Sequence, residues 1–241
     1  LDQPSRYTIV SGLYPHNHHL MEEGGNWLPD DAPVLMSELS DLGYYTLGVG
    51  KMNFRPWERK AGFDRKITAE GPGENASDTL KKDDYHAFLA EKGRSRYDYL
   101  SQLSDTKSPG VKTWPWDDGL SINAFIGQQA CKAICSDDSL KTHPWFMWVS
   151  FSGPRYPWLP LAKSFRYYSG QSLPLARTLR GELTVKPLDQ TATRYEYSRD
   201  LVHYMEEYPE RADSLIHDIK AAHYACLSDI DAQMGLLLET L

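Results

Sequence analysis

The sequence is poor in cysteine, in long apolar stretches and in positive charge. Three cysteines among 241 residues are too few for a disulfide framework. No apolar run approaches the length of a membrane-spanning helix, so no membrane span is predicted. A formal net charge of −7 argues against nucleic acid as a partner. The chain also carries no internal repeat, and its length suits a globular protein with one good-sized core or with one domain plus an excursion.

The first residues of the chain predict a helix that ends at a turn. Asp2 can cap this helix, Pro4 suits its first turn, and Gly12 is placed to end it. Arg6 opposes the helix dipole there, which is unfavourable for a structural side chain and favourable for one that faces an anion. Free N–H groups and a guanidinium together suit sulfate or phosphate. An ordinary capped helix with a solvated Arg6 explains the same residues, so both interpretations stay open.

Two helix–strand pairs follow and predict an α/β fold. The first joins a helix over residues 33–42 to a short β-rich strand over residues 44–49. The second joins an amphipathic helix over residues 120–134 to a strongly apolar segment, 144–151, interpreted as a central strand. Residues 210–241 predict one long amphipathic helix or a broken pair. Repeated helix–strand pairs indicate a sheet with helices on both faces.

Cationic residues follow both predicted strands. Lys51 comes directly after Gly50 at the end of the first strand, and Arg155 follows the second. Because ligands of open parallel sheets bind beyond the carboxyl ends of the strands, these residues are candidates for an anion site. The alternative for Lys51 is a solvated lysine at a strand end.

Other residues look like metal ligands only by type. His16, His18 and His19 stand close together, but their spacing is that of a loop. Cys131 and Cys135 share one face of a predicted helix and have no partner at a matching spacing. We interpret the three histidines as structural or solvent-facing residues and the two cysteines as core or boundary residues.

These motifs, taken in order, resemble those of the sulfatases of the alkaline phosphatase superfamily. Residues 4–6 and 11–16 match the family's opening signature, and residues 39–51 match its helix, strand and Gly-Lys motif. Residues 145–157 resemble its strand followed by Pro-x-x-Pro, and residues 221–237 resemble its long helix. The resemblance therefore covers nearly the whole chain.

The resemblance implies an α/β fold with an alkaline-phosphatase-like, mostly parallel sheet flanked by helices. Residues 1–241 would be a partial sulfatase-like domain, incomplete at both ends. Residues 54–118 predict an irregular insert with a short helix near 83–91, and in the family such inserts wall the substrate cleft. Trp114 and Trp116 are candidates for that wall, although a packed loop corner explains them equally.

The resemblance implies catalytic roles for Asp2, Arg6, Lys51, Asn53 and Arg155, with Arg6, Lys51 and Arg155 also binding the substrate. The family's nucleophile is a Cys or Ser converted to formylglycine, and its position falls on Asp2, which cannot be so converted. Asn53 and Arg155 stand where the family has histidines. Asparagine can donate a hydrogen bond but cannot shuttle a proton, and arginine binds anions but stays protonated near neutral pH.

The resemblance also implies a divalent cation, Ca²⁺ or Mg²⁺. Asp2 would be one ligand, and the remaining ligands are expected outside this chain, on an upstream strand and a downstream strand that the family carries. The sequence alone does not distinguish an encoded Asp2 from a modified residue written as aspartate.

The expected function is hydrolysis of sulfate esters, with a small-molecule or saccharide sulfate, a sugar or aryl sulfate, as substrate. Two alternatives stay open: a catalytically inactive homologue that binds an oxyanion, and a phosphate or phosphonate ester hydrolase of the same superfamily. The resemblance favours a periplasmic, secreted or lysosomal location. The sequence leaves the substrate and the oligomeric state open.

Overall fold

The computed structural model describes residues 2–22, 24, 28–29, 31–70, 83–96, 98, 111–155, 158–174 and 208–241. The chain divides into two units. The first comprises residues 1–96, 119–152 and 230–241, and the second comprises residues 97–118 and 153–229.

The predicted helices and strands are present in the predicted order, together with further short elements that the sequence did not predict. The helices are α1 (Asp2–Ser11), α2 (Pro15–His18), α3 (Leu35–Asp41), α4 (Asp84–Glu91), α5 (Ile122–Ser136), α6 (Asp138–Thr142), α7 (Ala162–Ser169) and α8 (Ala212–Thr240), and the strands are β1 (Tyr45–Gly50), β2 (Arg65–Thr68) and β3 (Trp145–Ser150). Short 3-10 turns cover Asp118–Leu120 and Pro209–Arg211.

A parallel sheet in the order β2-β1-β3 organises the first unit. Helix α5 packs on β1 and β3, and α3 packs on β1. The parallel pairing and the flanking helices confirm the predicted α/β class. Leu47 and Val49 of β1 are completely covered, as expected for a strand with neighbours on both sides.

Two details of the sheet differ from the sequence predictions. Among the described strands the central position belongs to β1 and not to β3, whose first residue Trp145 is 36% exposed. An apolar run indicates burial but does not specify a strand's place in the sheet. Strand β2 lies within the stretch predicted to be irregular. The strand is only four residues long, and two of the four are charged, so it carries little sequence signal. The preceding residue, Asp64, supports its pairing with β1 by accepting a hydrogen bond from the Thr46 amide at 2.8 Å.

Helix α1 is anchored by one buried face. Tyr7 and Val10, spaced three residues apart, pack into an apolar cluster with Met36, Phe54 and other side chains of the first unit. Gly12 ends the helix in the left-handed conformation with φ 69°, and its N–H donates to the Thr8 carbonyl at 2.9 Å, which confirms the predicted stop. This packing fixes the direction in which the start of α1 presents its polar side chains.

The final segment is one continuous helix, α8, of 29 residues, and not a broken pair. In the second unit, Asp229 of α8 accepts a hydrogen bond from the Leu161 N–H at 2.9 Å and another from the Ser164 hydroxyl, so it ties α8 to the start of α7. Among the described residues, none of the helices combines the length and the apolar character that crossing a bilayer requires.

The buried histidine near α1 has a structural role, as predicted. The His18 ring lies 3.1 Å from the Thr8 hydroxyl through Nε2 and accepts the Leu20 N–H at 3.2 Å through Nδ1. His18 as a whole is 3% exposed. His16 stacks on Tyr14, with ring centroids 5.7 Å apart.

Candidate functional site

The start of α1 and the end of β1 bring three charged side chains together. Arg6 Nε donates to Asp2 Oδ1 at 2.5 Å, and Lys51 Nζ donates to the other carboxylate oxygen, Oδ2. We call the side chains of Asp2, Arg6 and Lys51 the ion cluster. The structure therefore joins three of the five residues that the sequence singled out for a site.

Arg6 is held by the ends of two strands as well as by its own helix. Its Nη1 donates to the Lys51 carbonyl at 2.8 Å and to Ser150 Oγ at 2.9 Å. The Arg6 side chain is 15% exposed and that of Lys51 is 9% exposed. Ser150 was missed at the sequence level, although a hydroxyl at the end of an otherwise apolar strand was the available signal.

The close approach of β1 and β3 depends on Gly50. Its φ is +103°, a conformation that residues with a Cβ rarely adopt. A Cβ built there would lie 2.1 Å from the Ser150 carbonyl oxygen. The next residue, Lys51, donates its backbone N–H to that same oxygen at 2.9 Å. Glycine at this position thus allows the two strand ends to meet under the ion cluster.

The ion cluster keeps Asp2 in its charged form. Burial raises the pKa of the Asp2 carboxyl, but the hydrogen bond from Lys51 and the charge of Arg6 outweigh burial and hold that pKa below its usual value of 3.8. Two cations and one carboxylate leave an excess of one positive charge among the three side chains. A partly buried site with excess positive charge attracts a further anion.

We expect Asp2→Asn to lower the free energy of unfolding at neutral pH and to lower it less in acid. Because the folded-state pKa of Asp2 is depressed, its ion pairs stabilise the fold fully above about pH 4, and this contribution is lost as the pH falls through the folded-state value. Denaturant unfolding at about pH 7 and about pH 2.5 checks this.

The control for Asp2→Asn is Asp138→Asn, which removes the same charge from an exposed ion pair with Lys141 (3.0 Å) and should change little at either pH. An equal loss for Asp2→Asn at both pH values would contradict the proposed ion pairing.

Asn53 lies in a turn just beyond Lys51. It has a left-handed backbone with φ 54°, and its N–H donates to Glu70 Oε2 at 2.9 Å. The Met52 N–H donates to the other oxygen of Glu70 at 3.0 Å. Burial raises the pKa of Glu70, and these two N–H groups act against that rise. Contact between the Asn53 side chain and a substrate stays a prediction. No pattern in the sequence indicated a place for Glu70 near the site.

Arg155 belongs to the second unit, where it is exposed. Its predicted role as a third anion contact therefore stays a prediction.

The described residues do not form a metal site by themselves. No group of three or more His, Cys, Asp or Glu side chains that could hold an ion occurs within the described ranges. Both oxygens of Asp2 already contact cationic side chains, whereas Ca²⁺ takes about six to eight oxygen ligands. The donor set described here does not fit a divalent cation, so we derive no chemical step through one.

The parallel sheet and its flanking helices make the first unit an α/β structure, and the ends of its strands bring the guanidinium of Arg6 and the ammonium of Lys51 around the Asp2 carboxylate. The family model described as Sulfatase matches residues 3–241. The chain therefore belongs to the sulfatase family, as the sequence motifs predicted.

Two curated relatives are sulfatases by name. An arylsulfatase of Clostridium perfringens is 24% identical over 244 residues, which cover 97% of this chain and 48% of the relative. A choline-sulfatase of Rhizobium meliloti is 23% identical over 247 residues, which cover 99% of this chain and 44% of the relative. The chain thus spans about half the length of the curated relatives it matches.

Solved structures share the fold. A phosphonate monoester hydrolase of Silicibacter pomeroyi superposes with a TM-score of 0.69 at 21% identity, covering 98% of this chain and 50% of that chain. A structure solved in complex with its substrate D-glucosamine-2-N,6-O-disulfate superposes with a TM-score of 0.57 at 16% identity, covering 100% of this chain and 52% of that chain. These similarities confirm the predicted alkaline-phosphatase-like fold.

Proposed function

We propose that the protein hydrolyses sulfate esters of small molecules or saccharides and that Arg6 and Lys51 bind the sulfate group. The observation that carries this proposal is the convergence of both cations on a single carboxylate. A site that directs two charged donors at one anionic group suits the oxygens of a sulfate ester. Membership of the sulfatase family and the names of the two curated relatives support the same reaction.

The proposed chemistry is stabilisation of developing negative charge. Hydrolysis breaks the S–O bond to the alcohol, and charge builds up on the leaving oxygen and on the sulfate oxygens. Before substrate arrives, strand-end contacts hold Arg6 and the Asp2 carboxylate holds Lys51, so both cations need little reorganisation to stabilise this charge. Asp2 stands at the family's nucleophile position. Arg155 and Asn53 are proposed as further contacts to the ester.

An inactive homologue that binds an oxyanion is the second candidate. Its support is Asp2 itself, because a carboxylate paired with two cations lacks the second hydroxyl of a hydrated formylglycine. The phosphonate monoester hydrolase neighbour supports the shared fold alone, at 21% identity, and so adds no weight to phosphonate esters as substrates.

The divalent cation and the cellular compartment are proposals that rest on family membership. Ca²⁺ or Mg²⁺ would take its oxygen ligands from beyond the residues described here, and Asp2 could join them only by giving up a contact with Arg6 or Lys51. A periplasmic, secreted or lysosomal location is proposed on the same ground.

The test is turnover of an aryl sulfate, a sugar sulfate and a phosphonate monoester by the intact protein, with and without Ca²⁺. Calorimetric titration with inorganic sulfate and the mass of the peptide containing Asp2 accompany the assay. Sulfate ester turnover supports the first candidate, and sulfate binding without any turnover supports the second. Turnover of the phosphonate ester alone, or neither binding nor turnover, contradicts both.

A further inference from the structure

Glu70 is a buried carboxylate outside the ion cluster. Its two oxygens accept hydrogen bonds from successive backbone amides, Oε1 from Met52 at 3.0 Å and Oε2 from Asn53 at 2.9 Å. The residue is 6% exposed, and its own N–H donates to Asp83 Oδ2 at 2.8 Å. Asp83 in turn caps α4 by accepting the His86 N–H. Glu70 is therefore anchored on one side and holds a turn on the other.

The turn held by Glu70 follows directly on Lys51. The Lys51 N–H donates to the Ser150 carbonyl and the Lys51 carbonyl accepts from Arg6, so the backbone is fixed up to this residue. Beyond it, Asn53 has a left-handed backbone, a conformation in which asparagine is enriched among the residues other than glycine. Two acceptors on one carboxylate pair the two N–H groups that this turn presents, and so stabilise it.

We propose that Glu70 is a positioning residue of the anion site. Its carboxylate clamps the Met52–Asn53 turn and thereby fixes where Lys51 Nζ and the Asn53 side chain lie relative to Arg6. The two hydrogen bonds of Glu70 reach this backbone segment and not an anion, so its proposed effect on an anion is indirect. The expected loss of sulfate affinity in a Glu70 variant rests on the proposed function. The expected changes in amide hydrogen exchange and in the Lys51 shift do not.

The test is Glu70→Gln in the intact protein, with inorganic sulfate as the probe. A glutamine keeps the shape of the side chain but replaces one acceptor oxygen by an NH₂ group, so one of the two backbone N–H groups loses its partner. We expect affinity for sulfate, measured by calorimetry, to fall about tenfold. We also expect faster amide hydrogen exchange at Met52 and Asn53 and a changed ¹⁵N shift of Lys51 Nζ.

The matched control is Asp64→Asn. Asp64 Oδ2 also accepts two hydrogen bonds on the same sheet, from the Thr46 amide at 2.8 Å and the Thr46 hydroxyl at 3.0 Å, but at the opposite end of β1 from Lys51. Asp64→Asn should lower stability and leave sulfate affinity and the Lys51 shift unchanged. If Glu70→Gln does not fold, Glu70→Asp, which keeps the charge and shortens its reach, is measured by the same readouts.

The outcomes separate this inference from the proposed function. If Glu70→Gln lowers stability as Asp64→Asn does while sulfate affinity and the Lys51 shift stay at wild-type values, Glu70 is merely structural and the inference is overturned. If the wild-type protein neither binds sulfate nor turns over a sulfate ester, the proposed function fails. In that case, altered exchange at Met52 and Asn53 together with a changed Lys51 shift in Glu70→Gln still supports the positioning role, and wild-type values for both overturn it.

Discussion

Replacing Arg6 with alanine should reduce sulfate ester turnover about a hundredfold or more, the usual cost of removing one preorganised donor from a site that stabilises an oxyanion. Arg6 contacts both the Asp2 carboxylate and the ends of two strands. Its loss removes a charged donor and also releases the Lys51 carbonyl. Steady-state kinetics with an aryl sulfate and calorimetry with inorganic sulfate measure the effect.

Arg65→Ala is the control for this substitution. Arg65 also forms an ion pair, with Asp137 at 2.9 Å, but its side chain is 51% exposed and it lies at the start of β2. Turnover and sulfate affinity should stay within about twofold of wild type, because exposed ion pairs contribute little. Equal losses for Arg6→Ala and Arg65→Ala would mean that Arg6 has no special place at the anion site.

Replacing Gly50 with alanine should lower the free energy of unfolding by roughly 3 kcal/mol or more, because two penalties combine. The residue would have to keep φ at +103°, and its Cβ would overlap the Ser150 carbonyl oxygen, 2.1 Å away. A backbone atom in a paired strand cannot move aside as the end of a side chain can. Urea unfolding followed by circular dichroism measures the loss.

Gly12→Ala separates the two penalties. Gly12 also has a positive φ, +69°, but a Cβ there meets nothing within 4 Å. We therefore expect a loss of about 1–2 kcal/mol, the cost of the left-handed conformation alone. If Gly50→Ala were no more destabilising than Gly12→Ala, the close approach of β1 and β3 would be wrong.

The sequence predicted the residues of the site that belong to a local pattern. Arg6 stands in the first turn of a helix, and Lys51 follows a glycine at the end of a short β-rich strand, so each carries its own signal. The two side chains converge because α1 packs within the first unit and β1 ends beside the start of α1. The order of elements and their parallel pairing were also predictable, since helix–strand alternation favours parallel sheets.

The places of Ser150 and Glu70 beside the two cations could not be predicted in this way, because strand pairing and not local sequence sets them, although Ser150 is recognisable as a hydroxyl at the end of an apolar strand. Gly50 pairs with Ser150 on one side and with Thr68 on the other, and this register carries Ser150 to Arg6 and Glu70 to the turn after Lys51. Strand β2 itself has too few apolar residues to be recognised. Long-range pairing of this kind leaves no trace in residue spacing.

The contacts of Arg6 have a consequence for how this site can change. Arg6 and Lys51 share the Asp2 carboxylate, and Arg6 also bonds the Lys51 backbone. Substitutions at these two positions will therefore be non-additive, and a double-mutant cycle will return a large coupling energy. A substitution at one of the two positions changes the effect of a substitution at the other. We therefore expect related sequences either to keep both cations or to lose both.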